Sequence, residues 1–286
     1  MVYFSKGSDD MKKILKYSIF MVIVLLFCSS CDGDVTRDLR HAGFTVGDGK
    51  FVCDAFFNSN NLSERIRYIT SYQIITEEGR IYDISLGQVY SNKANCKVAD
   101  VSFHVKSIFD NKVIRADDGG IYTLVADNNT KPYTLVTSAD NSYALYQLLL
   151  SGMDVVKVMT ADSNNGIYYV LKTDGNVYGY TVSQNDRNEP PSIGGTSIVY
   201  SKEDYGGEII DFNFAGDSPT TFVRTTSKVY RLSATNSKEC SQYADVKCNY
   251  EMIEEPVFEK RKSSILAYNG SIILTDYQKI FTLGTE

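Results

Sequence analysis

A short pattern recurs five times along the chain, and it constrains the fold more than any other feature. In each copy two apolar, strand-like runs are joined by a tight polar turn, and a β-branched residue followed by an aromatic residue marks the second run. Successive aromatic residues of this pair are 40, 56, 52 and 51 positions apart. These residues are Tyr82, Tyr122, Tyr178, Tyr230 and Phe281. Repeats of about 40–50 residues are typical of four-stranded propeller blades, so the pattern predicts an all-β, β-propeller-like fold.

A further apolar run precedes the hairpin in every repeat, so each repeat predicts at least three strands, and intervening segments can supply a fourth. These runs read IRYI, VKSIF, VVKVM, IIDFNF and SSILAY. An N-terminal hairpin is indicated at Gly47-Asp48-Gly49. We expect five to six blades of antiparallel strands, with residues 44–57 pairing beside 280–283 and closing the ring. An open β-solenoid or a twisted sheet array is the alternative.

The turns inside the repeats differ in their glycine content. Glu78-Gly79, Asp118-Gly119 and Asp174-Gly175 combine residues that tolerate positive φ, which primed two-residue turns require. Thr226-Ser227 and Tyr277-Gln278 have no glycine, so we expect turns of another length or shape there.

Three longer segments interrupt the repeats, and one of them predicts a short helical insertion. Asp140 to Gly152 has Asn141 or Ser142 as a cap, and Leu145, Leu148 and Leu149 form one apolar face. Residues 184–207 are polar and contain Pro190-Pro191, which indicates a surface loop. The third segment covers residues 234–262. Because the repeat continues through all three, the sequence predicts a single domain from residue 32 to residue 286.

The third repeat resembles the propeller repeats of the regulator-of-chromosome-condensation family. The resemblance is carried by 155–158, by Ala161-Asp162 and by 169–178, and the fourth repeat keeps 210–212 and Lys228-Val229-Tyr230. It implies a propeller scaffold. The family's Trp-Gly pair is missing, since the chain has no tryptophan, and no residue of nucleotide-exchange activity is carried over.

The N-terminal segment resembles a bacterial lipoprotein leader. After Met11, three lysines precede an apolar run from Ile19 to Phe27, and small residues then precede Cys31. This layout predicts a signal peptide within residues 1–31 and attachment of lipid, such as palmitate, to Cys31. The chain would then be exported and anchored to the cell membrane, facing the periplasm or the cell exterior. An uncleaved anchor helix is the alternative, and the start at Met1 or Met11 stays open.

Four cysteines follow the leader, and an even count in an exported chain predicts disulfide bonds. They are Cys53, Cys96, Cys240 and Cys248. Three pairings can be drawn, of which Cys53–Cys96 with Cys240–Cys248 is preferred because the second pair closes a small loop.

The charge and the scarcity of histidine narrow the function classes. The formal net charge is −6 and the leader is basic, so the remainder is more acidic still, which argues against binding of nucleic acid. His41 and His104 are the only imidazoles, so we expect no catalytic triad, no metal site and no cofactor. Paired carboxylates keep a glycosidase-type site open as an alternative. The available carboxylates are Asp117, Asp118, Asp162, Asp174 and Asp211.

The interrupting segments, rather than the repeats, are expected to bind a partner. Tyr143, Tyr146, Tyr200 and Tyr205 lie in them, and tyrosine buries contact area at low entropy cost. The sequence thus favours a membrane-anchored, non-enzymatic protein-binding module, for example an immunity protein against an antibacterial toxin. A carbohydrate-binding or glycoside-hydrolysing propeller and an envelope assembly scaffold are the alternatives.

Overall fold

The structure is a computed structural model, and it describes the chain in stretches separated by gaps. These are residues 37, 40, 44–46, 50–51, 66–70, 73–84, 96–124, 133–183, 189–214, 220–234, 250–254, 265–268, 272–275 and 279–285. The chain divides into a small compact unit, residues 1–46 with 284–286, and a large one, residues 47–283. Strand β1 (Phe44–Val46) belongs to the small unit, and the repeats belong to the large one apart from residues 284–285 at their end.

The repeats form successive antiparallel meanders, numbered here 1 to 5 in chain order. Meander 1 contains β3 (Ile66–Ile69), β4 (Gln73–Thr76), β5 (Ile81–Ile84) and β6 (Cys96–Val98). Meander 2 contains β7 (Val105–Phe109), β8 (Val113–Ala116), β9 (Ile121–Leu124) and β10 (Tyr133–Leu135). Meander 3 contains β11 (Val155–Asp162), β12 (Ile167–Lys172), β13 (Val177–Ser183) and β14 (Ser192–Tyr200).

Meander 4 contains β15 (Ile209–Phe214), β16 (Thr220–Thr225), β17 (Val229–Ala234) and β18 (Tyr250–Glu254). Meander 5 contains β19 (Ile265–Tyr268), β20 (Ile272–Thr275) and β21 (Lys279–Thr285). Strand β2 (Lys50–Phe51) pairs antiparallel with β21, with Lys50 opposite Ile280. The expected pairing of the N-terminal segment beside the last strand is therefore confirmed, whereas the closed ring and the number of blades stay predictions.

The predicted apolar runs become the first strands of the meanders, β3, β7, β11, β15 and β19. The interrupting segments supply fourth strands, namely β10, β14 and β18. The prediction of a surface loop over 184–207 is wrong for Ser192–Tyr200, which is β14. An outer strand with one sheet neighbour and wide exposure to water can be polar, so its composition resembles that of a loop.

The first strands converge within the large unit. Strands β7 and β11 pair in parallel, Lys157 opposite Ile108, which joins meanders 2 and 3 into one eight-stranded sheet. Strand β3 lies against β15 and β19, and β12 lies against β15. One apolar core takes side chains from meanders 1 to 4, and a second lies between meanders 2 and 3 and the helix described below.

The glycine turns differ from the primed turns expected. Gly79, Gly119 and Gly175 have φ of 84°, 85° and 80°, whereas the residues before them keep negative φ. In each turn the glycine N–H donates to the carbonyl three residues earlier, as in Gly79 N to Thr76 O at 2.9 Å. This is the geometry of a longer hairpin loop that needs one left-handed residue, where glycine carries no Cβ penalty.

Two of these turns also accept a backbone hydrogen bond from the next meander. The carbonyl of Gly79 accepts the N–H of Val105 at 2.8 Å, and the carbonyl of Gly175 accepts that of Ile209 at 3.1 Å. Each bond joins a turn to the start of the following first strand. The glycines of the repeat therefore serve both the turn and the contact between neighbouring meanders.

The helical insertion is confirmed as α1 (Tyr143–Leu150). Ser142 occupies the N-cap position as expected, but its side chain makes no capping hydrogen bond. The helix ends at Leu150, two residues before Gly152, and it buries Leu149 and Leu150. Leu145 and Leu148 pack against the same core while partly buried. Among the described residues, no helix is long and apolar enough to cross a membrane.

Candidate functional site

A buried ion pair lies where the first strands converge. Lys157 on β11 and Asp211 on β15 approach to 2.8 Å between Nζ and Oδ1, and their side chains are 1% and 4% exposed. Asp211 Oδ1 also accepts the N–H of Phe212 at 2.9 Å. Both charges have apolar neighbours on either side in their strands and are shielded from water, so each depends on the other for its stabilisation.

Tyr68 of β3 connects meander 1 to this pair. Its hydroxyl donates to the carbonyl of Val156 at 2.8 Å, and Lys157 Nζ lies 5.7 Å from its ring centroid. The same Nζ lies 5.9 Å from the ring of Phe212. Burial raises the pKa of Tyr68, against a smaller opposing effect of Arg67, so the phenol stays a neutral donor. Three meanders thus meet around one buried ammonium group.

Arg224 of β16, which is partly buried, adds a second cation whose charge interacts with the same carboxylate. Burial lowers the pKa of Arg224, and the charges of Asp211 and Glu77 oppose that effect. The carboxylate of Asp211 is consequently stabilised by the cations Lys157 and Arg224 in a region with little access to water. Its chemistry is that of a cross-link between strands.

A two-residue turn between β7 and β8 makes further cross-links at one end of the first strands. Asp110 and Asn111 have φ of 47° and 56°, and Lys112 N donates to Phe109 O at 2.9 Å. The Asp110 carboxylate accepts the backbone N–H and the hydroxyl of Thr160 at 2.7 and 2.6 Å. Asn111 Nδ2 donates to Asn213 Oδ1 at 3.2 Å, which connects the turn to meander 4. Here a primed turn does occur, at a pair the sequence analysis passed over.

The aspartates of two repeat turns bind the tyrosine four residues later. The Tyr122 hydroxyl donates to Asp118 Oδ2 at 2.8 Å, and the Tyr178 hydroxyl donates to Asp174 Oδ2 at 2.7 Å. In both turns the other carboxylate oxygen accepts the backbone N–H two residues after the aspartate, at 2.7 and 3.0 Å. The repeated aspartate and tyrosine therefore stabilise the hairpin.

Electrostatics in the Asp174 turn follow from these bonds. Burial disfavours the ionised carboxylate, but the hydrogen bonds from Tyr178 and from Asn176 outweigh it, so the pKa of Asp174 is lowered. The bond to Asp174 raises the pKa of Tyr178, because the neutral phenol is the donor. Lys202 Nζ donates to the carbonyl of Asp174 at 3.0 Å, close to the end of β14.

No group of three or more His, Cys, Asp or Glu side chains suited to a metal ion occurs among the described residues. His104 lies against Asp117, with 3.3 Å between Nδ1 and Oδ2, in an exposed position. Asp162 accepts the N–H groups of Asn164 and Asn165 and the side-chain amide of Asn165, which closes the turn after β11. Each of these carboxylates has a bond that shapes its loop.

Two of the four tyrosines expected at a binding surface lie in the core. Tyr200 and Tyr205 are buried. Their rings lie 6.2 Å apart, and Tyr205 packs on Tyr230 with centroids 5.1 Å apart. The expectation that Tyr200 and Tyr205 contact a partner is therefore corrected. They lie where meander 4 packs against meander 3, and a phenol ring is large enough to fill that space.

The other two tyrosines lie on α1. Tyr143 and Tyr146 are partly buried and pack against the second core, where Tyr146 contacts Phe109 with centroids 5.0 Å apart. Their role in binding stays a prediction. The predicted cysteine sites are not tested, because Cys31, Cys53, Cys240 and Cys248 lie outside the described residues. Cys96 begins β6.

Large exposed apolar side chains mark the outer strands, which the sequence analysis did not identify. Leu135 of β10 is 51% exposed, Ile193 and Ile198 of β14 are 41% and 55% exposed, and Met252 of β18 is 46% exposed. Met153, fully exposed after α1, is the fifth such residue among those described. The usable signal was the presence of apolar residues inside each polar interrupting segment, but the strand assignment was needed to tell which of them are exposed.

Comparison with known proteins shows only weak similarity. No protein-family model matches the chain, and no curated protein sequence is significantly similar to it. A solved structure of a functionally unknown protein from Desulfotomaculum acetoxidans DSM 771 is similar at 13% identity, over 66% of this chain and 55% of that chain, with a TM-score of 0.27. The chain thus spans just over half the length of that protein.

The WD40 β-propeller domain of Doa1 is similar at 10% identity, over 85% of this chain and 69% of that domain, with a TM-score of 0.26. The chain is mostly β, with antiparallel meanders and a weak similarity to a propeller. The lipoprotein leader and the resemblance to regulator-of-chromosome-condensation repeats stay predictions.

Proposed function

We propose that this chain is a lipid-anchored, extracytoplasmic, non-enzymatic module that binds a protein through the fourth strands of its meanders. The observation that carries the proposal is the distribution of exposed apolar side chains. Four of the five among the described residues lie on β10, β14 and β18. These four share one place in the repeat, the fourth strand, whereas exposed apolar residues scattered singly over a surface need no explanation.

The scaffold supports this assignment because its repeated polar residues already have structural partners. Asp118 and Asp174 hold tyrosine hydroxyls, and Asp211 holds Lys157. Each fourth strand is paired on only one side within its meander, so fewer of its residues are needed for contacts inside the fold. Side chains there can vary with the partner at little expense to the fold.

An immunity protein against an antibacterial toxin is the concrete form of this function. The leader predicts attachment through Cys31 at the membrane, where such a toxin would arrive, and the acidic net charge of −6 suits a basic partner. A lipid-anchored binding module needs no catalytic residue, because occupation of the partner's surface is sufficient.

The test is affinity capture from detergent-solubilised membranes of cells that carry the full chain. We expect one protein to be recovered in a fixed ratio, and recovery to fall about tenfold or more in a Leu135→Ser, Met252→Ser double variant, as for loss of interface anchors. Met153→Ser is the matched control, because Met153 is exposed but lies on no fourth strand. The proposal is overturned if no protein is recovered in a fixed ratio, or if the double variant and the control recover it equally.

A further inference from the structure

The loop between β11 and β12 contains the one asparagine among the described residues that a glycine follows. This loop covers residues 163–166, and Asn165 is exposed to water while Gly166 is partly buried. Asparagine followed by glycine is chemically labile, because the backbone nitrogen of the next residue can attack the side-chain amide and glycine has no Cβ to hinder the approach. The exposed position also gives water access to the reacting atoms.

The reacting groups of this loop have different hydrogen-bond partners. Nδ2 of Asn165 donates to Asp162 Oδ2 at 2.6 Å, so the side-chain amide stays against the turn. The backbone N–H groups of Asn164 and Asn165 donate to Asp162 Oδ1 at 2.9 and 3.2 Å. The Gly166 N–H, in contrast, donates to no group in the described part of the chain. Its nitrogen therefore reacts without first giving up a hydrogen bond.

An aspartate that precedes glycine in a repeat turn is less reactive than Asn165. Asp174 could close the same ring with the nitrogen of Gly175. Burial opposes the ionisation of Asp174, but the hydrogen bonds from Tyr178 and Asn176 outweigh it and lower its pKa. An ionised carboxylate is a poor acyl donor, whereas the neutral amide of Asn165 can release ammonia.

We propose that Asn165 is a site of spontaneous deamidation. The Gly166 nitrogen forms a bond to Cγ of Asn165 and loses its proton, and the bond from Cγ to Nδ2 breaks with release of ammonia, which leaves a cyclic succinimide. Water then opens the ring at either carbonyl. The products are aspartate and isoaspartate, and in isoaspartate the main chain continues through the former side-chain carbonyl. The net reaction consumes one water and needs neither an oxidant nor a second protein.

Both products remove a bond that closes the loop. Aspartate at position 165 has no N–H to donate, so a second carboxylate faces Asp162 where an amide donated to it. Like charges in one site destabilise each other. Isoaspartate adds one methylene group to the main chain directly before Gly166 and so displaces that residue.

The effect should extend to the neighbouring strand, because the loop is packed against β13. A Cβ on Gly166 would lie 2.2 Å from the carbonyl oxygen of Val182, and the carbonyl of Gly166 accepts the Val182 N–H at 2.7 Å. Val182 in turn is opposite Ile193 near the start of β14. Deamidation would therefore loosen β13 where it pairs with β14. This inference goes beyond the proposed function and does not depend on a partner, since the reaction occurs in the chain alone.

Peptide mapping by mass spectrometry tests the reaction in the full, folded chain during incubation at mildly alkaline pH. We expect aspartate and isoaspartate to accumulate at position 165, while Asn164, exposed in the same loop but followed by asparagine, stays unchanged. Asn165→Gln should block the reaction, because its longer side chain forms the ring less readily. Asn269-Gly270 lies outside the described residues and in a different peptide. The proposal is overturned if Asn165 converts no faster than Asn164, or converts only after the chain is unfolded in urea.

Hydrogen exchange of the Val182 amide tests the structural effect with a matched pair of variants. Asn165→Asp and Asn165→Ala both remove the amide donor, but only Asn165→Asp adds a charge beside Asp162. We expect Val182 to exchange about tenfold faster in Asn165→Asp than in Asn165→Ala, as for two like charges in one site. The amide of Val223 in meander 4 is the control and should exchange equally in both. Equal exchange of Val182 in the two variants refutes the predicted repulsion.

Discussion

The first and the fourth strand of meander 3 differ in how far their residues are buried. In β11 every residue except Thr160 is buried, and in β14 every residue except Val199 and Tyr200 is exposed. The first strand carries contacts to β7, β15 and β3, whereas the fourth strand has one described neighbour. We infer that stability is concentrated where first strands meet and that the fourth strands are available for binding.

The largest expected effect comes from breaking the central ion pair. Lys157→Met leaves Asp211 buried without its cation, which should cost about 3–5 kcal/mol of unfolding free energy. Urea denaturation followed by circular dichroism measures the loss. A Lys157→Met, Asp211→Leu double variant should recover most of it, because no uncompensated charge remains. A loss below about 1 kcal/mol in the single variant would place the pair outside the stable core.

Smaller effects are expected at the turns that join neighbouring meanders. In Gly79→Ala the new Cβ would lie 2.5 Å from the carbonyl oxygen of Val105, at a φ of +84°. In Gly119→Ala, at +85°, nothing lies within 4 Å of it. We expect a loss of about 2–4 kcal/mol at Gly79 and about 1 kcal/mol at Gly119, measured by thermal and urea unfolding. Equal losses would show that the contact with Val105 contributes nothing.

The smallest effect concerns the hydrogen bond between Tyr178 and Asp174, and it depends on pH. Because the pKa of Asp174 is lowered in the folded chain, its contribution is present above its unfolded pKa and is lost as pH falls through the folded value. Tyr178→Phe should therefore cost about 0.5–1 kcal/mol at pH 7 and progressively less below about pH 4. Urea titrations across this range measure the difference.

Tyr122→Phe is the matched variant in meander 2, where Asp118 accepts the corresponding bond. We expect a loss of similar size at pH 7. A Tyr178→Phe effect that stays constant from pH 7 to pH 3 would contradict a contribution from the ionised carboxylate.

Local sequence features predicted the repeated elements well. The runs IRYI, VKSIF and VVKVM became β3, β7 and the start of β11, and the leucine-rich segment became α1. These elements could be predicted because apolar periodicity and glycine residues at turns are local properties of the sequence. The glycine turns were located correctly, although their geometry was a longer loop in place of a primed turn.

The central cross-link could not be predicted in the same way. Lys157 and Asp211 are 54 residues apart, and each appears in the sequence as a charge with an apolar neighbour on either side. Only the convergence of β11 and β15 makes them partners. Tyr200 and Tyr205 illustrate the same point, because their segment is polar and their burial depends on Tyr169, two strands earlier in the same meander, and on Tyr230 from meander 4.

By itself, the sequence determined that this chain is a series of β-hairpins with a helix in one interruption, because apolar periodicity and turn residues act over a few positions. Tertiary structure alone decided which charges are buried together, which tyrosines belong to the core and which strand is left at an edge. Those outcomes depend on how separate repeats pack, and packing joins residues that the linear pattern keeps far apart.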